Sequence, residues 1–175
     1  MNTLEAIAKR KSTRAYTAEA VSEESLDKIL KAAFASPVAM AKYESLHITV
    51  LQNEALIGKI NEKTAELFFK RTGMKKNTDF GARTLVFVST CTDMLPLEMA
   101  IANCGIVVEN MVLAATSLGI DSVILGGAPA MIANEADIMA SLGIPEGFKP
   151  ILGAAFGYAV LDEAPKTHAI SVNRV

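Results

Sequence analysis

A chain of 175 residues with 17 Lys and Arg against 19 Asp and Glu has a formal charge of −2, which gives no basis for binding nucleic acid or an anionic membrane surface. The length fits one domain over residues 1–175, able to bury about 70% of the surface that its unfolded chain exposes. Counting the 11 Gly and leaving out the 3 Tyr turns the 51% hydrophobic content into about 55%, above the roughly 45–50% of an average domain, and the surplus reads as subunit interface.

The first helix starts after an Asn2 or Thr3 cap, turns Leu4, Ile7 and Ala8 inward, and runs into Lys9-Arg10-Lys11-Ser12-Thr13-Arg14. Cations at a helix C-terminus complement its dipole by roughly 0.3 to 1 kcal/mol, so a solvated helix end is one reading. An anion cradle is the other, since Arg grips a phosphate with two donors and Ser12 adds a hydroxyl that a solvated end does not need. Composition leaves both open.

Ser22-Glu23-Glu24 caps a second helix through Leu26, Ile29, Leu30 and Ala33, and Ser36-Pro37 stops it because a residue before proline is pushed out of the α region. The irregular stretch Val38 to Ser45 leads into a strand, Leu46 to Leu51, where His47 reads as a half-exposed strand histidine. Asn53 caps a third helix through Ile57, Ile60, Ala65, Leu67 and Phe68, closed by Gly73. Met74 to Gly81, with its basic pair Lys75-Lys76, reads as a mobile loop or lid. Thr84 to Ser89 is a second core strand.

Pro96 and Gly119 bracket the longest element, Leu97 to Leu118, about 33 Å of helix in which 15 of 22 residues are apolar. Its polar residues fall into two stripes, Glu98, Gly105, Glu109 and Thr116, and Asn103, Asn110 and Ser117, so the helix is expected to be covered on nearly every side. Glu98, Asn103, Glu109 and Asn110 argue against a membrane span, where a central charge costs about 2.5 kcal/mol or more. Ile120 to Leu125 is a short buried strand ending in Gly126-Gly127, where a flat ligand reaches backbone amides. An amphipathic helix near Asn134 to Leu142, closed by Gly143, precedes a fourth strand, Pro150 to Tyr158, whose glycines let backbones approach. Gly153 to Gly157 lacks the strand-glycine-helix order of a nucleotide fingerprint. The polar tail from Leu161 to Val175, with a weak Ile170-Val172 alternation, stays ordered only if something binds it, such as another subunit's sheet edge. The order predicts an α+β fold with helices on both sides of a mixed, mainly antiparallel sheet and the long helix central.

Cys91 and Cys104 are the only cysteines, both in apolar segments, which points to reduced buried thiols and a cytoplasmic protein. The N-terminus has no apolar run of the secretory kind, and His47 and His168 are too far apart for a local metal motif, so no metal is expected.

Arg10, Ser12 and Arg14 after a short first helix, Ser36-Pro37, Glu109-Asn110-Met111-Val112-Leu113-Ala114-Ala115 with Ser117-Leu118-Gly119-Ile120, Gly143-Ile144-Pro145-Glu146-Gly147 and Gly157-Tyr158 together resemble the nitroreductase family, nearly end to end. The resemblance implies FMN as cofactor, NADH or NADPH as reductant, and a homodimer with two interface sites. By it, Arg10 and Ser12 hold the FMN phosphate with Lys11 alongside, and Arg14 sits at the pyrimidine edge, where a cation stabilises the anionic reduced ring. Pro37, Val38 and Ala39 border the flavin from the partner subunit. Ile124, Leu125, Gly126 and Gly127 lie along the ring, with the Gly126 amide aimed at N5. Arg174, with Lys166 behind it, adds a basic residue to the phosphate from the tail.

The chain departs from the family pattern after Pro37, where Val38, Met40, Ala41, Lys42, Tyr43, Glu44 and Ser45 replace its Ser-x-x-Asn-x-Gln-Pro-Trp, and at Arg83, where Ala-Pro is usual. It also lacks the helical insertion that often shapes the substrate pocket. The implied activity is hydride transfer by way of flavin N5 to a small acceptor such as a nitroaromatic or quinone, with no side chain acting as acid or base. The rivals are a family side-branch (dehalogenation, ring oxidation or flavin fragmentation), a non-catalytic flavin-binding dimer, and an anion-binding protein without flavin.

Overall fold

Every side chain of Thr84–Cys91 is buried, as expected of a Val-rich strand covered on both faces. In the computed structural model, which describes residues 1–74, 77–161 and 163–175, this strand is β2. It pairs with β1 (Leu46–Leu51) on one side and β4 (Phe148–Gly157) on the other, and β4 carries β3 (Asp121–Leu125). All three strand pairs are antiparallel, and the parallel component of the mixed sheet is a single bridge between Ser12 and Ser122.

The alternation of β2 divides the core in two. Val86 and Val88 face α2 (Glu23–Phe34) and α4 (Leu97–Ser117), meeting Leu26, Ile29, Val108 and Met111. Leu85 and Phe87 join the cluster formed with α3 (Glu54–Thr72), α5 (Gly127–Ile132) and α6 (Ala136–Leu142), meeting Ile57, Ile60, Ile132 and Ile138. Between β2 and β4 the backbones approach closely at Gly153, where a β-carbon would lie 2.5 Å from the Val86 carbonyl oxygen. His47 is half-buried on β1, its ring edge-on to Phe148 at 6.2 Å.

The caps follow the sequence reading. Asn2, Ser22 and Asn53 side chains accept from the first turns of α1 (Thr3–Lys9), α2 and α3, and Glu5 returns the bond to the Asn2 N–H. Pro96 stands one residue before α4, and Gly119 follows it at φ +77. Helix α4 is long and apolar enough to cross a membrane, yet Cys104, Val108, Met111, Val112 and Ala115 are wholly buried, and it packs on α1, α2 and the sheet. Leu97 and Ile101 on one side of it, and Met99 and Ile106 on the opposite side, are open in the single chain, so the expected cover on nearly every side is incomplete towards its N-terminal half.

Two local readings change. The helix expected near Asn134 to Leu142 forms as α6, closed by Gly143, and a further short helix that the sequence reading did not include precedes it, because Gly127-Ala128-Pro129 opens α5; a proline in the first turn removes no intrahelical bond. Of the expected mobile loop, Lys75 and Lys76 lie outside the described residues, while Asn77 to Gly81 is tied down: Asn61 Oδ1 on α3 accepts from the Thr78 N–H at 2.9 Å and hydroxyl at 3.1 Å.

Candidate functional site

Strand β3 is an edge, and the chain that follows α1 runs beside it. Helix α1 ends at Lys9 with Arg10 as its C-cap, the Arg10 N–H donating to the Ala6 carbonyl at 2.9 Å, and at φ −55 and ψ 128 the chain turns away there, so Lys11 to Arg14 lie beyond the helix end. The Thr13 N–H donates to the Ser122 carbonyl at 2.9 Å, the Thr17 N–H to Tyr158 at 2.8 Å, and the Val160 N–H to Ala15 at 3.1 Å. Asp121, at the start of β3, gathers the segment. Its carboxylate accepts from the Thr13 hydroxyl at 3.2 Å and from the Ala159 N–H at 3.2 Å, and it pairs with Lys11 Nζ at 3.6 Å. Beneath it the buried Tyr16 hydroxyl donates to the Ala155 carbonyl at 3.4 Å, and burial, then the Asp121 charge, raise its pKa.

A cavity of about 480 Å³ opens on this segment, lined by Arg10, Lys11, Ser12 and Arg14 and, from the tail, by Glu163, Lys166 and His168. No ion pair joins Arg10 or Arg14 to a carboxylate among the described residues. Arg14 Nη1 donates to the Ser12 carbonyl at 3.2 Å, which orients the guanidinium. Two guanidinium groups with no carboxylate partner among the described residues, a hydroxyl and a lysine make a donor set suited to a phosphate. Lys11 is the qualified member, since Asp121 draws its ammonium.

Arg14 also lines a second cavity, of about 190 Å³, at the C-terminal end of β3. Its walls are Ile124 and Leu125 of β3, Gly126 and Gly127 at the turn into α5, Phe68 of α3, Thr78 and Phe80 of the following turn, and Met131 of α5. Gly126 has φ −90 and ψ −37, where any residue sits. A β-carbon there would meet Leu152 Cδ1 at 3.8 Å, and one on Gly127 would meet Met131 Cε at 3.9 Å, both ordinary contacts. The chain's own packing therefore does not demand glycine at either position, and the missing side chains leave space along the strand end for a flat ligand.

The loop after α2 is held from α4. Asn110 Nδ2 donates to Ser36 Oγ at 2.8 Å and the Ala39 N–H donates to Asn103 Oδ1 at 3.0 Å, which gives two members of the predicted polar stripe their partners. Beyond Ala39 the backbone takes positive φ at Met40 and Ala41, 56° and 54°, and Lys42 pairs with Glu44 at 3.5 Å. Pro37, Val38 and Ala39 line neither cavity of their own chain. Arg174 is exposed in the tail and also lines neither, whereas Lys166 does. Arg83 pairs with Glu54 at the start of α3. The sequence reading missed Phe80, Met131, Glu163 and His168 as wall residues, and placed Phe68 only in the core. The one local signal was turn chemistry, Asn77 and Asp79 ahead of Gly81.

Cationic cavity and apolar slot, joined through Arg14, define a binder of an elongated ligand that is anionic at one end and flat at the other. A family model described as the nitroreductase family matches residues 7–158, and the chain belongs to that family. A curated protein of Archaeoglobus fulgidus, named "Putative NADH dehydrogenase/NAD(P)H nitroreductase", is 32% identical over 155 residues, covering 89% of this chain and 84% of the relative. One of Methanothermobacter thermautotrophicus with the same name is 32% identical over 158 residues, covering 90% and 78%. The solved structure of a nitroreductase with bound FMN from Bacteroides fragilis is similar at a TM-score of 0.86 and 30% identity, covering 100% of this chain and 99% of that one. Another with bound FMN, from Desulfitobacterium hafniense, reaches 0.84 at 25% identity, covering 99% and 100%.

Proposed function

We propose that this protein is an FMN-dependent oxidoreductase that carries reducing equivalents from NADH or NADPH to a small electron acceptor such as a nitroaromatic or quinone. The observation that carries the reading is the continuity of the site: one arginine, Arg14, lines both the cation-rich cavity and the glycine-ended slot. FMN, when bound, supplies a ring that accepts hydride at N5 and passes electrons on.

The chain's own residues bind and orient. Arg10 and Ser12 hold the phosphate, with the Lys11 charge adding to the field while Asp121 fixes its position. Arg14 belongs at the pyrimidine edge, where its cation favours the anionic reduced ring. Ile124, Leu125, Gly126 and Gly127 flank the ring, and the two glycines keep it accessible. No side chain is assigned as acid or base, since positioning and local charge supply the protein's part.

The working unit is a homodimer. Support comes from the apolar residues of α4 left open in the single chain, Leu97, Met99, Ile101 and Ile106, and from Pro37, Val38 and Ala39, which line neither of the two cavities described and are assigned to the partner's flavin. Arg174 is assigned to a phosphate across that interface, because it too lines neither of those cavities. Buried, unpaired Cys91 and Cys104 suit a reducing cytoplasm.

Steady-state oxidation of NADH and NADPH by the FMN-loaded protein, with and without an added quinone, tests the reading. Quinone-dependent turnover is expected with at least one nicotinamide. A flavin-loaded protein that oxidises neither is a flavin store, and the oxidoreductase reading fails.

A further inference from the structure

Phe80 is a bulky residue at φ +57, a region such side chains rarely adopt. Its neighbours hold it there. Asn77 Oδ1 accepts from the N–H groups of Asp79 at 3.0 Å and Phe80 at 3.1 Å, and Asp79 Oδ1 accepts from the Gly81 N–H at 2.8 Å. The turn is anchored to α3 by the two bonds from Thr78 to Asn61 and by a hydroxyl contact between Thr78 and Thr64. A strained conformation persists where the surroundings over-determine it, and such positions cluster at ligand sites. The side chain lines the slot at the end of β3, and Phe68 of α3 lines it as well.

We propose that Phe80 is a specificity-determining residue: its ring and that of Phe68 form the aromatic part of the wall, which admits flat ring systems to the slot in preference to puckered molecules of equal size. The assignment rests on the function proposed above. An aromatic face favours offset or edge-on partners that are themselves flat, and a backbone already held by its neighbours leaves only the two side-chain torsions to settle when a ligand arrives. In turnover a naphthoquinone gains two electrons and two protons, a hydride equivalent from the nicotinamide and a proton from water. Ferricyanide takes one electron per ion, two ions per nicotinamide, and needs no seat in the slot.

The test uses the FMN-loaded protein and two variants, Phe80→Leu, which keeps apolar bulk against the core, and Phe80→Tyr, which keeps the ring. Perturbation of the flavin absorption on titration with 1-naphthoate, a flat non-reducible probe, gives an affinity without turnover. Phe80→Leu should weaken naphthoate by at least about tenfold and, starting from flavin reduced beforehand with dithionite, slow reoxidation by 2-methyl-1,4-naphthoquinone to a similar degree, with reoxidation by ferricyanide held within about twofold. Phe80→Tyr should stay close to the unsubstituted protein. Unchanged naphthoate affinity in flavin-replete Phe80→Leu, or equal losses with both acceptors, overturns the assignment and leaves the proposed function standing. The unsubstituted protein supplies a check that needs no variant: naphthoate must bind at least about tenfold more tightly than its puckered decahydro analogue, and equal affinities also overturn it. A protein that takes up no FMN fails at the earlier reading, and this assignment falls with it.

Discussion

Gly126→Val separates a ligand-facing glycine from a structural one. Backbone conformation is no obstacle, because φ −90 and ψ −37 suit any L-residue, and the new β-carbon meets Leu152 Cδ1 at 3.8 Å. Glycine outranks valine before a helix by about 1 kcal/mol, and the reduced entropy of the unfolded chain returns about 0.4–1 kcal/mol, so stability should change by less than about 1 kcal/mol. For a chain of this size that is within about 4 °C in Tm. Gly153→Ala is the contrast: its β-carbon would stand 2.5 Å from the Val86 carbonyl oxygen and 2.8 Å from Phe87 Cδ1, forcing two central strands apart at about 1–3 kcal/mol. The valine places its branched side chain in a slot of about 190 Å³ where the ring and its partner are expected to meet. Reduction of the bound flavin by NADH or NADPH, followed by stopped flow, should slow at least about tenfold, equivalent to about 1.4 kcal/mol of activation energy. A flavin-replete, normally stable Gly126→Val protein that is reduced at an unchanged rate refutes the reasoning and removes Gly126 and Gly127 from the site.

Arg10→Ala should weaken FMN binding by at least about tenfold, or about 1.4 kcal/mol, measured by fluorescence titration of the apoprotein; an unchanged affinity sends the cation run back to solvent. Sedimentation at micromolar concentration should show a dimer, and a stable flavin-loaded monomer contradicts the role given to the open apolar residues of α4. Burial pushes the Cys104 thiol up to about 12, so the folded state keeps its proton while the unfolded chain loses it from about pH 9. Its contribution to stability is whole below that pH and declines as pH rises toward 12, which chemical denaturation at stepped pH will show against a Cys104→Ala reference.

The caps and strands were legible because they depend on neighbours in sequence: Asn2, Ser22 and Asn53 each bond a residue three positions on, and β2 carries the unbroken apolar run Leu85 to Val88. The polar stripe on α4 was legible as a stripe, but its partners Ser36 and Ala39 lie more than 60 positions away and only folding supplies them. Phe80 was missed for the same reason. Its position depends on Asn61 and Thr64 across the turn from α3, and a hydrogen-bonded loop has the same polar composition as a mobile one. Asp121 was read simply as part of a buried strand, since a carboxylate at a strand start has no local pattern that announces the cations it organises.

The visible spectrum of the purified protein, followed by heat release and the mass of what is released, tests the central claim most directly. The account predicts the paired absorption bands of an oxidised flavin and a released species with the mass of FMN, stoichiometric with the chain. A colourless protein that gains no such bands after incubation with excess FMN and desalting contradicts it.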